Sequence, residues 1–226
     1  MHNLLQDMNM ISSLNHPVLN KLIGFSPFNF KNEAKPVIVT EMLPSKTLQS
    51  VFLNRCYKEK FDDTIKLINI FGIASGMKYL HSHDIIHNNL KPENIFLDSS
   101  DHPILSDFGI LTMFIINNTT LQSNCGLKDA QIFSAPEVLC TGECTKESDV
   151  YSFALIVYLI MTFRKPFEDL VAFDEFYNKI VNDGFRPSFK DYSIPNCYQE
   201  LIEKCWCQDP KERLSFNEIV DILKTN

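Results

Sequence analysis

Leu4, Leu5, Met8, Ile11 and Leu14 recur at helical spacing, so residues 1–14 read as an amphipathic helix ended by His16-Pro17. LIGFSPF (22–28) and KPVIVTEM (35–42) are rich in β-branched and aromatic residues and flank a polar connection, the pattern of a two-stranded hairpin. A short helix is expected over 46–55. A longer one is expected over 62–81, with Ile65, Ile68, Phe71, Ala74, Met77 and Leu80 on its buried face. NIFLD (94–98) and HPILSD (102–107) read as two short strands around a Ser-Ser-Asp turn, and 117–129 show no regular period. Beyond Pro136 the chain is mostly helical. Ser215 and Glu218 form a capping box at the start of the last helix, in which Phe216, Ile219, Val220 and Leu223 make the buried face.

The most hydrophobic run, Val150 to Phe163, spans about 20 Å as a helix, against a bilayer hydrocarbon core of about 30 Å. Such a run suits the centre of a domain, not a membrane. Residues 1–16 lack the basic start and continuous apolar core of a signal peptide. A net charge of −7 argues against a nucleic-acid-binding face. The seven cysteines are scattered without zinc-site spacing and read as reduced thiols of a cytoplasmic protein.

His87-Asn-Asn-Leu-Lys-Pro-Glu-Asn94 has the His-x-x-Leu-x-x-x-Asn spacing of a kinase catalytic loop. Asp107-Phe108-Gly109 and Ala135-Pro136-Glu137 follow in the order that family requires. KCWCQDPKER (204–213) and SDVYSF (148–153) extend the likeness toward the C-terminus. The chain thus resembles a protein kinase domain of serine/threonine type, on the tyrosine-kinase-like branch. The resemblance implies an α+β, two-lobed fold. Residues 1–43 would be a reduced N-lobe of one helix and a hairpin, and residues 44–226 a mainly α-helical C-lobe, with a hinge near Met42 to Ser45.

The same resemblance assigns roles residue by residue. Asn94 and Asp107 match the family's magnesium ligands, and their oxygens suit that hard cation. Lys91 matches the lysine that neutralises the transferred phosphate. Thr40, Glu41 and Leu43 match the gatekeeper and hinge around the adenine of ATP, and Phe96 its floor. Lys91 reads equally as a solvated loop charge, and the hinge positions as ordinary strand residues. Arg213 would pair with Glu137, Asp149 would anchor His87, and Ile11, Leu22, His87 and Phe108 match the four stacked apolar positions joining the lobes.

The departures bear on activity. Asn89 stands where the family has its catalytic aspartate, and an amide cannot take a hydroxyl proton near neutral pH. A positioned acid or base contributes ~10²–10⁴-fold in rate. Asn88 replaces the arginine that often clamps an activation-segment phosphate, so Thr119, Thr120 and Ser123 read as plain loop hydroxyls. The sequence holds no Gly-x-Gly-x-x-Gly and no N-lobe lysine partner for Asp7. ATP and magnesium, the family's cofactors, are therefore expected to bind weakly or not at all. The expected function is a pseudokinase that binds or scaffolds protein partners, without nucleic acid or membrane insertion. Two alternatives stay open: an active ATP-dependent serine/threonine kinase, and an incomplete kinase gene product.

Overall fold

The computed structural model describes residues 8, 10–33, 37–54, 57, 59–108 and 129–225. Asp7, Gly109, Thr119, Thr120 and Ser123 lie outside them, as do the first residues of the expected N-terminal helix. Residues 10–13 are helical, and Met8, Ile11 and Leu14 are buried.

Strands β1 (Leu22–Ser26) and β2 (Val37–Thr40) form the expected antiparallel hairpin. Leu22 pairs with Thr40 and Gly24 with Val39, so a bulge falls at Ile23. Strict alternation would send Leu22 and Phe25 to opposite faces. The extra residue lets both turn inward, with Leu22 buried and Phe25 packed against the core beside Ile38. Ile23 and Val39 are left outside, 63% and 45% exposed.

Helix α1 (Leu48–Leu53) starts at a Thr47–Ser50 capping box. Helix α2 (Asp63–Ser82) starts where the Asp62 carboxylate accepts the Ile65 N–H at 2.9 Å. Its buried stripe is Ile70, Ile73, Ala74, Met77 and Leu80, whereas Phe71 is 38% exposed and Ile65 and Ile68 are only half-buried. The expected face is therefore corrected in its first half. A series spaced only by three precesses about 60° per step around a helix of 3.6 residues per turn, and the real stripe alternates threes and fours.

Strands β3 (Ile95–Leu97) and β4 (Pro103–Leu105) pair antiparallel. Asn69 of α2 donates through Nδ2 to the Asp101 carbonyl at 2.9 Å and so ties the β3–β4 turn to the helix. The approach of α2 to β4 depends on Gly72, where an added Cβ would lie 2.6 Å from Pro103 Cγ. Gly72→Ala should lose a net ~1–2 kcal/mol, because overpacking of ~1–3 kcal/mol exceeds alanine's helix advantage of up to ~1 kcal/mol. A urea denaturation curve tests this.

Helices α3 (Asp129–Ile132) and α4 (Pro136–Thr141) lead to α5 (Lys146–Thr162), capped by a Thr145–Ser148 box and buried on all sides from Val150 to Ile160. It ends at Phe163 in the left-handed region (φ 54°), a costly conformation for an aromatic residue. Edge-to-face packing of the Phe163 ring on Phe52 (5.2 Å) and Phe61 (5.9 Å) holds it there. Helix α6 (Phe173–Tyr177) continues as a π-helical stretch (Asn178–Asn182), and α7 (Asn196–Cys205) packs on α5. Helix α8 (Phe216–Thr225) packs on α2, with the Phe216 ring 5.3 Å from Phe153 and 5.0 Å from His81. The expected capping box is present: the Ser215 N–H donates to the Glu218 carboxylate at 2.8 Å and Ser215 Oγ accepts from the Glu218 N–H at 3.3 Å. Among the described residues no helix is long and apolar enough to cross a membrane, and no acid, histidine or cysteine cluster could hold a metal by itself.

Candidate active site

The loop from His87 to Asn94 connects α2 to β3 and hangs from one carboxylate. Asp149, buried in the first turn of α5, accepts the His87 N–H at 2.8 Å and the Asn88 N–H at 3.0 Å. His81 Nε2 meets the same carboxylate at 2.8 Å. A negative charge is favourable at the N-terminal end of a helix, where backbone N–H groups point outward. Asn88 sits in the left-handed region (φ 65°), which asparagine tolerates better than most side chains. The sequence paired Asp149 with His87 and missed His81, 68 positions away, because nothing in the local spacing joins them.

Asn94 fixes the far end of the loop. Its Nδ2 donates to the Asn89 carbonyl at 2.8 Å, and its own carbonyl accepts the Ser106 N–H at 3.0 Å. Asn94 thus links the Asn89 backbone, through its side chain, to the residue just before Asp107, through its own carbonyl. The Asn89 N–H makes a long contact, 3.4 Å, with His87 Nδ1. Asp107 adopts a left-handed conformation (φ 59°) and is exposed, while Phe108 is buried with its ring 6.3 Å from His87. Lys91 is half-buried and immediately precedes the 3₁₀ turn Pro92–Asn94.

The expected stack of Ile11, Leu22, His87 and Phe108 is buried throughout. Ile11, Leu22 and Phe108 line a cavity of about 20 Å³ together with Thr40, Asp107, Met8 and Asn20. Met8 and Asn20 carried no functional signal in the sequence. Among the hinge positions, the Glu41 N–H is committed to the Lys21 carbonyl at 2.9 Å. Leu43 and Phe96 are half-buried, and Phe96 pairs with Ile104.

The donor set can be weighed against the family's cofactors. Asn94 spends its amide nitrogen within the loop and keeps its oxygen for a cation, and Asp107 offers an exposed carboxylate, so both fit magnesium. A cavity of about 20 Å³ behind Thr40 has room for little more than one water molecule, whereas ligand pockets run to ~300–1,000 Å³.

Burial pushes the His87 imidazole below its ordinary pKa of 6.5, outweighing the opposite pull of Asp149. The folded chain keeps His87 neutral while the unfolded chain takes up a proton as pH falls through about 6.5, so this contribution to stability is lost toward acid. The slope attributable to His87 cannot exceed ~1.4 kcal/mol per pH unit. His16, lowered by partial burial, acts with the same sign. In denaturant titrations between about pH 7 and pH 5.5, His87→Phe should show a shallower loss than the native chain.

Arg213 forms a two-pronged pair with Glu137 at 2.6 and 2.8 Å, as the sequence suggested. The family model for protein tyrosine and serine/threonine kinases matches residues 1–223. A probable serine/threonine-protein kinase of Dictyostelium discoideum is 31% identical over 224 residues, covering 96% of this chain and 16% of that protein. The dual specificity protein kinase shkE of the same organism is 33% identical over 186 residues, covering 82% of this chain and 26% of that protein. The serine/threonine-protein kinase VIK of Arabidopsis thaliana is 32% identical over 225 residues, covering 96% of this chain and 48% of that protein. The chain spans less than half the length of each of these relatives.

Proposed function

Because the chain belongs to the protein tyrosine and serine/threonine kinase family, we propose that it is a pseudokinase, a kinase-fold module that binds or scaffolds protein partners and transfers no phosphate. One observation carries this reading. Asn89 occupies the position from which the family's aspartate orients and deprotonates the attacking hydroxyl, in a loop whose remaining supports are in place. Family catalysis is almost entirely positioning and charge neutralisation, so a neutral amide there removes one of the few contributions the protein makes. Asn88, where the family often has arginine, removes a cation as well, and its Oδ1 is buried without a hydrogen-bond partner among the described residues.

Residues 1–43 serve as a reduced N-lobe and 44–226 as the C-lobe, and we assign the molecule to the cytoplasm, in keeping with its scattered free thiols. Asn94, Asp107 and Lys91 keep the family chemistry for magnesium and phosphate, which is what supports the competing reading of an active serine/threonine kinase. Nucleotide binding separates the two. A ligand present at one hundred times its Kd stabilises a fold by ~2.7 kcal/mol, a shift of several degrees. ATP with magnesium at sub-millimolar concentration should move the thermal midpoint by less than about one degree. A magnesium-dependent rise of several degrees would contradict weak or absent binding.

A further inference from the structure

A cavity of about 250 Å³ opens between the last turn of α2, the first turn of α5 and the start of α8. It has about twelve times the volume of the one behind Thr40. A water molecule needs ~10–15 Å³ of such space, so a ligand of about ten non-hydrogen atoms has room here. Val150 and Phe216, each 2% exposed, supply an apolar lining together with half-buried Leu214.

Much of the charge on the walls is already satisfied within the fold. Arg213 is held by Glu137, Lys146 by Asp84 at 2.6 Å, and Glu218 by the Ser215 N–H and hydroxyl. Half-buried Lys78 makes no ion pair or hydrogen bond among the described residues. The exposed side chains of Glu147 and Asn217 make none either. His81, its side chain only 11% exposed, belongs to the same wall. Its Nε2 carries the hydrogen between them, because the Asp149 carboxylate only accepts. In the uncharged ring Nδ1 is then an acceptor, and it has no partner among the described residues.

Lys78, Glu147 and the apolar lining together complement a ligand that carries both charges and an apolar body. A simple anion would face Glu147 and a simple cation would face Lys78, like against like. We infer that the cavity is a site for a free apolar α-amino acid of the size of leucine or methionine. Its carboxylate accepts from the Lys78 ammonium and the Asn217 amide. Its ammonium, with three N–H donors, meets the Glu147 carboxylate and His81 Nδ1, and its side chain lies against Val150, Leu214 and Phe216. A hydrogen bond into Nδ1 polarises the ring and strengthens Nε2–H as a donor to Asp149. The His87 and Asn88 N–H groups hang from that same carboxylate, so the ligand steadies the loop from behind. The inference goes beyond the pseudokinase reading and holds whether or not the chain transfers phosphate.

Amide chemical shifts of the 226-residue chain, titrated with leucine, methionine, glycine, leucinamide and isocaproate, test this. Leucine and methionine are expected to bind at ~0.1–1 mM, in keeping with the modest energy that so few ligand atoms provide. Glycine lacks the apolar body, leucinamide the carboxylate and isocaproate the ammonium, so each should bind at least about tenfold more weakly. Lys78→Met should weaken leucine at least about tenfold and leave leucinamide unchanged. Its thermal midpoint should barely move, since Lys78 has no partner to lose among the described residues. Glu147→Gln should weaken leucine and leave isocaproate unchanged, and it serves if Lys78→Met does not fold. Hydrogen exchange at amides 87 and 88 should slow on saturation with leucine. The absence of saturable shifts with either amino acid up to about 10 mM overturns the inference. Equal binding of isocaproate and leucine does so too, as does leucine binding indifferent to both substitutions. Unchanged exchange at amides 87 and 88 under saturation overturns the link to the loop.

Discussion

Replacing Arg213 by alanine is expected to destabilise the fold by about 3–5 kcal/mol, the range for breaking a buried ion pair from one side. The guanidinium is fully buried and holds both Glu137 carboxylate oxygens, at 2.6 and 2.8 Å. It also donates to the Glu147 carbonyl (2.9 Å) and the Cys207 carbonyl (2.9 Å). Its flat face lies 5.1 Å from the Tyr151 ring, which Arg186 approaches at 5.0 Å. Alanine would strand the Glu137 charge, two carbonyls and one face of a buried tyrosine together. Arg213→Lys should recover only part of the loss, because an ammonium cannot reproduce the two-pronged geometry. The measurement is the denaturation midpoint of each variant at unchanged m-value.

Asp149→Ala should be comparably severe, at about 3–5 kcal/mol, and its effect should concentrate in the His87–Asn94 loop. It leaves the His87 and Asn88 N–H groups and the His81 ring without their acceptor, in a site where Asp149 itself is only 2% exposed. Each stranded buried donor costs ~1–3 kcal/mol. Asp149→Asn keeps one acceptor oxygen but turns an N–H₂ group toward a donor, so it should fall between the two. Hydrogen exchange distinguishes this from global loss: amides 87 and 88 should exchange fast in Asp149→Asn while those of the α5 interior stay protected.

Much of this was written in local pattern. The hairpin, α2, the β3–β4 pair and the buried central helix follow from periodicity, because each buries one continuous set of side chains. The Ser215–Glu218 cap was legible since its two hydrogen bonds join residues three apart. What local pattern could not give was arrangement across the chain. Nothing near Asp149 announces that it serves His81, His87 and Asn88 at once, and nothing near Asn20 or Met8 places them behind Thr40. The α2 stripe went wrong where apolar residues exceed what one face can bury, so spacing by three alone picked Phe71 over Ile70. At the loop itself the sequence spoke most clearly. Three motifs in order marked Asn89 as the position that departs, and the structure adds that Asp149 and Asn94 hold the loop on either side of it.

Transfer of labelled γ-phosphate from magnesium-ATP to serine, threonine and tyrosine peptides, by the purified chain and by Asn89→Asp, tests the proposed loss of catalysis most directly. With Asn89 in place turnover should be undetectable, at least ~10²–10⁴-fold below an aspartate-bearing kinase. On the proposed reading Asn89→Asp should not restore it, since Asn88 remains and nucleotide is still expected to bind weakly. Turnover by the native chain at the ~1–100 s⁻¹ of ordinary kinases would contradict the pseudokinase assignment outright.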